Sequence, residues 1–402
     1  MHTGYRVPFA CRGSLLGQDE IDTLSELVHS SNPLSAGSYR KTFERRFADH
    51  VGTRHALTVT SCTVALEIAI GLLELRTGDE VIVTPQTYQA TVQPLLDYPV
   101  GVQFCDVDPE SLNISPVVLE SLLSDRTRAI VLVHYGGYSA DMERVMQLAR
   151  ERGVVVIEDC AHALGAERYG HRPGSMGDIG CFSFHGSKNI TTLGEGGMLT
   201  LDRDDWAERI DRRRSNDVDA EFRTAPGEIT EPAALPWMKY ATHVYRHTYT
   251  EVRRAGTNAT MSEAAAAVGV VQLAKLGVLV NRRRAIAARL DEVLAGFDQV
   301  RVPRPPAGIR HAYHLYTFFV SRPGARDELV HALDRRGVEV QLRYFPQHLL
   351  PEWRGRGLGD CPVAERLWFT EHMNLPCHPG LSDAEVEYLT EALDMSLREV
   401  LS

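Results

Sequence analysis

The sequence lacks the features that would place it among nucleic-acid-binding, membrane or secreted proteins. Its 402 residues include 43 Lys and Arg against 53 Asp and Glu, which gives a formal charge of −10. That charge is the wrong sign for a chain that binds nucleic acid or anionic lipid. No apolar run approaches the roughly 18 residues that span a bilayer, and the N-terminus lacks the apolar core of a signal peptide. We therefore expect a cytoplasmic protein with no nucleic-acid or membrane partner.

The sequence has no internal repeat, and neither its cysteines nor its glycines have the spacing typical of a metal or dinucleotide site. The seven cysteines form an odd set without C-x-x-C spacing, so we expect reduced thiols and no metal site. The run Gly194-Glu195-Gly196-Gly197 does not have G-x-G-x-x-G spacing and precedes a predicted strand, so it gives little support to a dinucleotide site. What remains is an ordinary composition, 44% hydrophobic and 24% charged, typical of a globular protein of enzyme size.

The first half of the chain has a β-α rhythm. Continuous apolar runs, typical of strands covered on both faces, occur at 56–60, 81–83, 102–104, 129–133 and 154–157. Helical spacing follows at 63–75 and 141–152. The alternation predicts an α/β fold with a mostly parallel central sheet between helices.

The second half suggests a division into two domains. Residues 215–256 contain three prolines and no clear period, which predicts a long functional loop. Ser262 then opens a long helix toward residue 294, and three prolines at 303–306 mark a boundary near residue 305. We predict a large domain over 1–305 and a small α+β domain over 306–402. The small domain would have strands at 315–320 and 338–342, a helix at 325–336 and a last helix, begun by a capping box at Ser382, to about residue 397.

Candidate binding residues follow two of the predicted strands. Thr60-Ser61-Cys62-Thr63 stands where a strand meets a helix, and free backbone N–H groups there can hold a phosphate. The same residues are also favoured helix caps, so this signal alone is ambiguous. Tyr88 follows the strand at 81–83, and its ring would either stack on a ligand or belong to the core.

Charged side chains follow other strands. Glu158 and Asp159 come at the end of a buried run, where a carboxylate either keeps the nitrogen of a ligand ring protonated or is an exposed group at a strand end. Lys188 follows an aromatic strand among small residues, where a desolvated lysine becomes an amine nucleophile, although most lysines are surface residues. Because parallel strands present their carboxyl ends at one sheet edge, the phosphate cradle, ring, carboxylate and lysine together predict a pyridoxal 5′-phosphate site.

The segments that carry these residues resemble motifs of a known family. The lysine segment 178–197, the acidic segment 158–166 and the segment 256–273 resemble those of the DegT/DnrJ/EryC1/StrS sugar aminotransferases. The resemblance runs from about residue 7 to residue 397. It implies a type I pyridoxal phosphate transferase fold that works as a homodimer with shared active sites.

The resemblance also implies roles for particular residues. Lys188 would form the Schiff base with the cofactor, Asp159 would pair with the pyridine nitrogen and Tyr88 would stack on the ring. His162 stands where the family usually has Gln, near the hydroxyl group of the ring. Lys188, once released, would move a proton between substrate and cofactor, with Asp159 sustaining the ring as an electron sink.

The phosphate-binding positions are carried over in the same way. By position, Cys62, Thr63 and Ser183 would bind the phosphate of the cofactor, joined by Asn258 from the partner chain. The sequence departs from the family at Cys62, where Gly or Ser is more usual, and at Ala259-Thr260, where Tyr-Arg is more usual. These departures suggest an acceptor different from the commonest nucleotide-linked sugars.

The activity implied is amino transfer from glutamate or glutamine to a keto-sugar or keto-cyclitol, in amino-sugar or antibiotic biosynthesis. One alternative is a pyridoxal phosphate-dependent dehydratase, although dehydrating members of the family typically have His where Lys188 stands. Another is a non-catalytic binding protein that keeps the fold. Arg343 is either a substrate contact or a surface residue.

Overall fold

A computed structural model describes residues 4–9, 12–216 and 256–401. The strands are β1 (His55–Val59), β2 (Glu80–Val83), β3 (Gly101–Phe104), β4 (Thr127–Val133), β5 (Val155–Asp159), β6 (Glu167–Arg168), β7 (Ile179–Ser183), β8 (Gly197–Leu201), β9 (Val300–Arg301), β10 (Ile309–Arg310), β11 (Tyr316–Val320), β12 (Gly357–Leu358) and β13 (His372–Leu375). The α-helices are α1 (Gln18–His29), α2 (Ser38–Val51), α3 (Cys62–Leu72), α4 (Pro116–Leu122), α5 (Met142–Arg152), α6 (Asp204–Arg213), α7 (Glu263–Leu294), α8 (Ala325–Arg335), α9 (Pro362–Arg366) and α10 (Asp383–Leu401).

A large sheet of eight strands forms the centre, in the order β1-β8-β7-β5-β4-β2-β3-β12. Neighbours from β7 to β12 pair in parallel, whereas β8 is antiparallel to both β1 and β7. The predicted apolar runs form these strands, and the mostly parallel sheet between helices confirms the type I fold.

Both faces of this sheet are buried, as its continuous apolar runs require. In β4, Ala129 and Val131 pack in one core with α3, while Ile130 and Leu132 pack in another with α4 and α5. Because successive side chains of a strand point to opposite faces, helices must cover both. The alternation therefore turns one face of the sheet toward α3 and the other toward α5.

A second core lies toward the C-terminus. The antiparallel sheet β13-β11-β9 packs there with α8 and α10, as the α+β prediction requires. The same core takes up Val7 and the second half of α7 from Ile286 onward, while β12 joins β3 of the large sheet. The two parts thus exchange elements across residue 305, and that domain boundary stays a prediction.

The strand predicted at 338–342 is wrong. Val338 makes a single parallel bridge with Val7, and Gln341 makes a single antiparallel bridge with Asn374. The segment changes both its partner and its direction of pairing within three residues, so no continuous ladder forms. The final helix does begin as predicted: the backbone N–H of Ser382 donates to Glu385 at 2.8 Å, and its hydroxyl accepts from the backbone N–H of Glu385 at 3.3 Å.

Helix α7 begins as predicted, because the Ser262 hydroxyl accepts from the N–H of Ala265 at 3.2 Å. Its apolar window has a mean hydropathy of 1.6, so by length and composition the helix is long enough to cross a membrane. This corrects the expectation that no segment approaches that length. Half of the window is nevertheless buried inside the protein, and the helix also buries Gln272 and Arg283. These are properties of a core helix.

The loop predicted at 215–256 lies almost wholly outside the described residues. Its two ends are fastened together: Ser215 bridges Asn258, and the N–H of Asn216 donates to the carbonyl of Thr257 at 3.0 Å. The neighbouring Arg214 is buried, and its guanidinium pairs with Glu44 at 2.6 Å and with Asp211 at 2.5 Å. The chain therefore leaves and re-enters the described structure at one anchored point.

Candidate active site

One cavity of about 710 Å³ opens at the carboxyl ends of the parallel strands. Seven of the eight predicted site residues line it: Cys62, Thr63, Tyr88, Asp159, His162, Ser183 and Lys188. The eighth, Asn258, is exposed beside Ser215 and does not line the cavity. Exposure is what a residue that acts in a partner's site would need, and that role stays a prediction.

Asp159 ends β5 and is almost fully buried, with 4% of its surface exposed. Its carboxylate accepts from the Thr91 hydroxyl at 2.7 Å and from the N–H of Ala161 at 2.9 Å. Burial raises the pKa of Asp159, and these two hydrogen bonds and the charge of Lys188 oppose that rise. A carboxylate so placed is ready to pair with a cationic ring nitrogen.

The preceding residue anchors the end of this strand. Glu158 is fully buried and accepts from His134 Nε2 at 2.8 Å and from the N–H groups of Gly174 and Met176 at 3.0 Å each. His134 Nδ1 in turn accepts from the N–H of Ala140 at 3.0 Å. These bonds occupy Glu158 and His134, so the two act as a scaffold that fixes the position of Asp159.

Lys188 lies in the turn that follows β7. The backbone N–H of Lys188 donates to the carbonyl of His185 at 2.9 Å. The carbonyl of Gly186 accepts from the backbone N–H of Gly13 at 3.0 Å. Gly13 packs so closely that a Cβ there would overlap the carbonyl oxygens of Ser187 and Lys188. Buried Arg283 donates to the Gly13 carbonyl at 2.6 Å. The N-terminal segment therefore holds the backbone of the lysine turn.

This contact makes a testable prediction. We expect Gly13→Ala to displace the lysine turn, to lower the free energy of unfolding by about 1–3 kcal/mol and to weaken cofactor binding. Gly186→Ala is the matched control, because a Cβ at Gly186 meets nothing within 4 Å. Thermal unfolding and cofactor titration of both variants measure the difference. Equal behaviour of the two would show that the Gly13 contact does not position Lys188.

The predicted phosphate cradle lies at the N-terminus of α3. Ser61 caps the helix by accepting from the N–H of Val64 at 3.2 Å, which leaves the first N–H groups of the helix to face an anion. Thr63 and Ser183 line the cavity beside this turn. The Cys62 thiol instead faces Asp159, with Sγ 4.0 Å from its Oδ1, and burial raises the pKa of this thiol. Any phosphate contact from Cys62 would therefore come from its backbone N–H.

His162 and Tyr344 line the cavity and belong to a cluster of aromatic rings. The ring of His162 stacks on that of His314 at 4.4 Å and lies parallel to that of Tyr344 at 5.7 Å. Burial, together with the charge of Lys188, lowers the pKa of both histidines well below the usual value. Nε2 of His162 lies 3.2 Å from the Tyr344 hydroxyl, but its buried Nδ1 has no hydrogen-bond partner within the described residues.

These groups fit pyridoxal phosphate. A buried carboxylate suits its ring nitrogen, a lysine amine suits its aldehyde, and a capped helix N-terminus with nearby hydroxyls suits its phosphate. The unpartnered Nδ1 of His162 suits its ring hydroxyl. Tyr88 lines the cavity and is half exposed, with its ring centre 5.9 Å from that of Tyr344, and its stacking on the cofactor ring stays a prediction.

Sequence reasoning missed Tyr344, which lines the cavity, and residues that support the cavity from behind. Thr91, His314 and Tyr344 belong to no motif, and only the folded chain brings them to Asp159 and His162. Arg343 lines the same cavity as Lys188. Of the two roles predicted for Arg343, this position favours a substrate contact over a surface residue. The proline and aromatic residues around it in 342–348 are the only signal that the sequence offered.

The fold and the site define a pyridoxal phosphate-dependent aminotransferase of fold type I. The sequence model of the DegT/DnrJ/EryC1/StrS aminotransferase family matches residues 15–394. The chain belongs to this family, as its motifs predicted.

Individual relatives agree over nearly their whole length. The chain is 34% identical over 386 residues to the spore coat polysaccharide biosynthesis protein SpsC of Bacillus subtilis, covering 94% of each chain. It is 31% identical to the GDP-perosamine synthase of Caulobacter vibrioides, covering 95% of this chain and 96% of that one. The crystal structure of the aminotransferase TlmJ from Streptoalloteichus hindustanus superposes with a TM-score of 0.86 at 32% identity, covering 98% of this chain and all of the other.

Proposed function

We propose that this aminotransferase moves the amino group of glutamate or glutamine to the keto group of a sugar, in amino-sugar or natural-product biosynthesis. The observation that carries the proposal is the meeting of Lys188, Asp159 and the N-terminus of α3 in one cavity. Relatives of similar length support the choice of a sugar, since one of them is named a GDP-perosamine synthase. A keto-cyclitol is the closest alternative acceptor.

Each residue of the cavity would have its own role in the reaction. Pyridoxal phosphate, when bound, supplies an electron sink for the carbon that loses or gains the amino group. Lys188 would hold the cofactor and, once released, would carry a proton to and from that carbon. Buried Asp159 would keep the ring nitrogen protonated, and α3 would bind the phosphate through its first N–H groups.

We also propose a cytoplasmic homodimer with shared active sites. Asn258 supports this arrangement, because it is exposed at the anchored point where residues 215 and 258 pair, and so is available to a second chain. A dimer would let Asn258 of each subunit approach the phosphate bound by the other. At Ala259-Thr260, where the family usually has Tyr-Arg, the chain lacks two large side chains near this edge. For this reason we propose an acceptor that differs from the commonest nucleotide-linked sugars.

Product analysis tests the proposal. The cofactor-loaded enzyme is incubated with keto-sugars, free and nucleotide-linked, and with a keto-cyclitol, each with glutamate, with glutamine and without donor. We expect an aminated product only when a donor is present, together with one equivalent of the keto acid. A dehydrated product at full rate without donor would identify a dehydratase instead. No product and no spectral change with any donor would favour a binding protein.

A further inference from the structure

Arg343 is the residue of the cavity whose position the motifs do not explain. It lies half-buried beside the aromatic wall, with its guanidinium carbon 5.5 Å from the ring centre of Phe9 and 5.7 Å from that of Tyr344. Nε donates to Gln341 Oε1 at 2.6 Å. Gln341 lies in turn within 3.4 Å of Glu339, whose carboxylate accepts from the N–H of Phe9 at 2.7 Å. The inner edge of the guanidinium is therefore held in place.

The backbone of Arg343 is held by four side chains from three different parts of the chain, since two of them belong to β13. Its N–H donates to Asn374 Oδ1 at 2.8 Å. Its carbonyl accepts from His372 Nε2 at 2.9 Å, from Gln86 Nε2 at 3.3 Å and from the Tyr135 hydroxyl. Such anchoring fixes where the side chain starts, which is the requirement for a preorganised binding group.

The outer edge of the guanidinium is free. Within the described residues, neither terminal nitrogen of Arg343 has a hydrogen-bond or ion-pair partner, although Nε does. A planar pair of N–H donors facing a cavity matches the two oxygens of a carboxylate, which it binds through parallel hydrogen bonds.

The other basic groups of the described cavity wall are committed or neutral. Lys188 is assigned to the cofactor. His162 lines the cavity, and His314 stacks on it from outside the lining. Burial, with the charges of Lys188 and Arg343, lowers the pKa of each well below its usual value. His185 faces Glu195 at the rim, with 3.8 Å between Nε2 and Oε1. An anionic substrate that enters this cavity therefore meets Arg343.

We propose that Arg343 binds the α-carboxylate of the amino donor. The inference rests on the proposed function, because it presumes an amino acid donor, and it adds the residue that recognises it. The α-carboxylate is attached to the carbon that gives up its amino group, so its partner must stand in the same cavity as Lys188, as Arg343 does. A phosphate on the acceptor offers the same chemistry, and the experiment separates the two sources.

The test compares donors with and without an α-carboxylate. Single-turnover amino transfer to the cofactor of the holoenzyme is followed by absorbance, with glutamate and with 4-aminobutyrate, which is glutamate without that group. We expect Arg343→Gln to lower the second-order rate constant for glutamate about 10- to 100-fold. The rate constant for 4-aminobutyrate should be unchanged. The rate constant of Arg343→Lys for glutamate should lie between those of the wild type and Arg343→Gln, because lysine keeps the positive charge but lacks the paired N–H donors of the guanidinium. Arg354→Gln, at an exposed position that does not line the cavity, should match the wild type.

A binding measurement supplies a readout that does not depend on turnover. Calorimetry of the holoenzyme with 2-oxoglutarate, the keto acid product of glutamate, should show a dissociation constant raised about 10- to 100-fold in Arg343→Gln. An unchanged constant, or equal losses with both donors, would overturn the proposal. So would a loss confined to the acceptor half-reaction, which would assign Arg343 to an acceptor phosphate. A wild-type enzyme that reacts with no amino acid would instead overturn the proposed function itself.

Discussion

Lys188→Ala is expected to abolish amino transfer. The lysine is the one amine on the described wall of the cavity, and it lies in the turn after β7 beside the helix N-terminus that would take the phosphate. Loss of a positioned acid–base group alone costs about 10²- to 10⁴-fold in rate, and loss of the attachment to the cofactor adds to this. The turnover number and the visible absorbance of the cofactor-loaded protein measure both effects.

Two further variants give this prediction its control. Lys188→Arg keeps a positive charge but should be as inactive as Lys188→Ala, because a guanidinium stays protonated and cannot serve as the amine nucleophile. Lys41→Ala, at an exposed position outside the cavity, should retain full activity. If Lys188→Ala kept the absorbance band and more than about one hundredth of the rate, the assignment of the lysine would be wrong.

Asp159→Asn is expected to have the second largest effect. The substitution keeps the shape of the side chain and its bond from Thr91 but removes the charge that would hold the ring nitrogen protonated. A hydrogen bond to a charged group contributes about 1.5–3 kcal/mol, which corresponds to a loss of roughly 10- to 150-fold in rate at 1.36 kcal/mol per tenfold. The turnover number of cofactor-saturated enzyme is the measurement.

Thr91→Val serves as the comparison for Asp159. It removes the 2.7 Å hydrogen bond to the carboxylate but leaves the charge, so the rate should fall much less than in Asp159→Asn. A larger effect in Thr91→Val than in Asp159→Asn would mean that the geometry of this pocket matters more than its charge, contrary to the role given to Asp159.

The sequence predicted those parts of the fold that depend on local pattern. The strands β2 and β4 are continuous apolar runs, and the caps at Ser262 and Ser382 are formed by neighbours three residues away. Because motifs of the family lie at strand ends, seven of the eight predicted positions also meet in one cavity. The variants at Lys188, Asp159 and Thr91 test the predicted roles.

Features that depend on distant parts of the chain could not be predicted. The segment 338–342 has a strand pattern, yet it divides its pairing between Val7 and Asn374, which lie at opposite ends of the sequence. Helices α1 and α2 are largely polar, and α2 is held through contacts such as the bond from the N–H of Gly37 to the buried carboxylate of Glu263. The row formed by His162, His314 and Tyr344 arises only when three separate segments pack together.

The central claim is that Lys188 carries the cofactor, and peptide mapping after reduction tests it most directly. The chain has four lysines, at positions 41, 188, 239 and 275, so the answer is unambiguous. The cofactor-loaded enzyme is treated with borohydride, which makes the attachment permanent, then digested and analysed by mass spectrometry. The account predicts the mass of the reduced cofactor on the peptide that contains Lys188. Its appearance on a peptide with Lys41, Lys239 or Lys275, or on no lysine, would contradict the account.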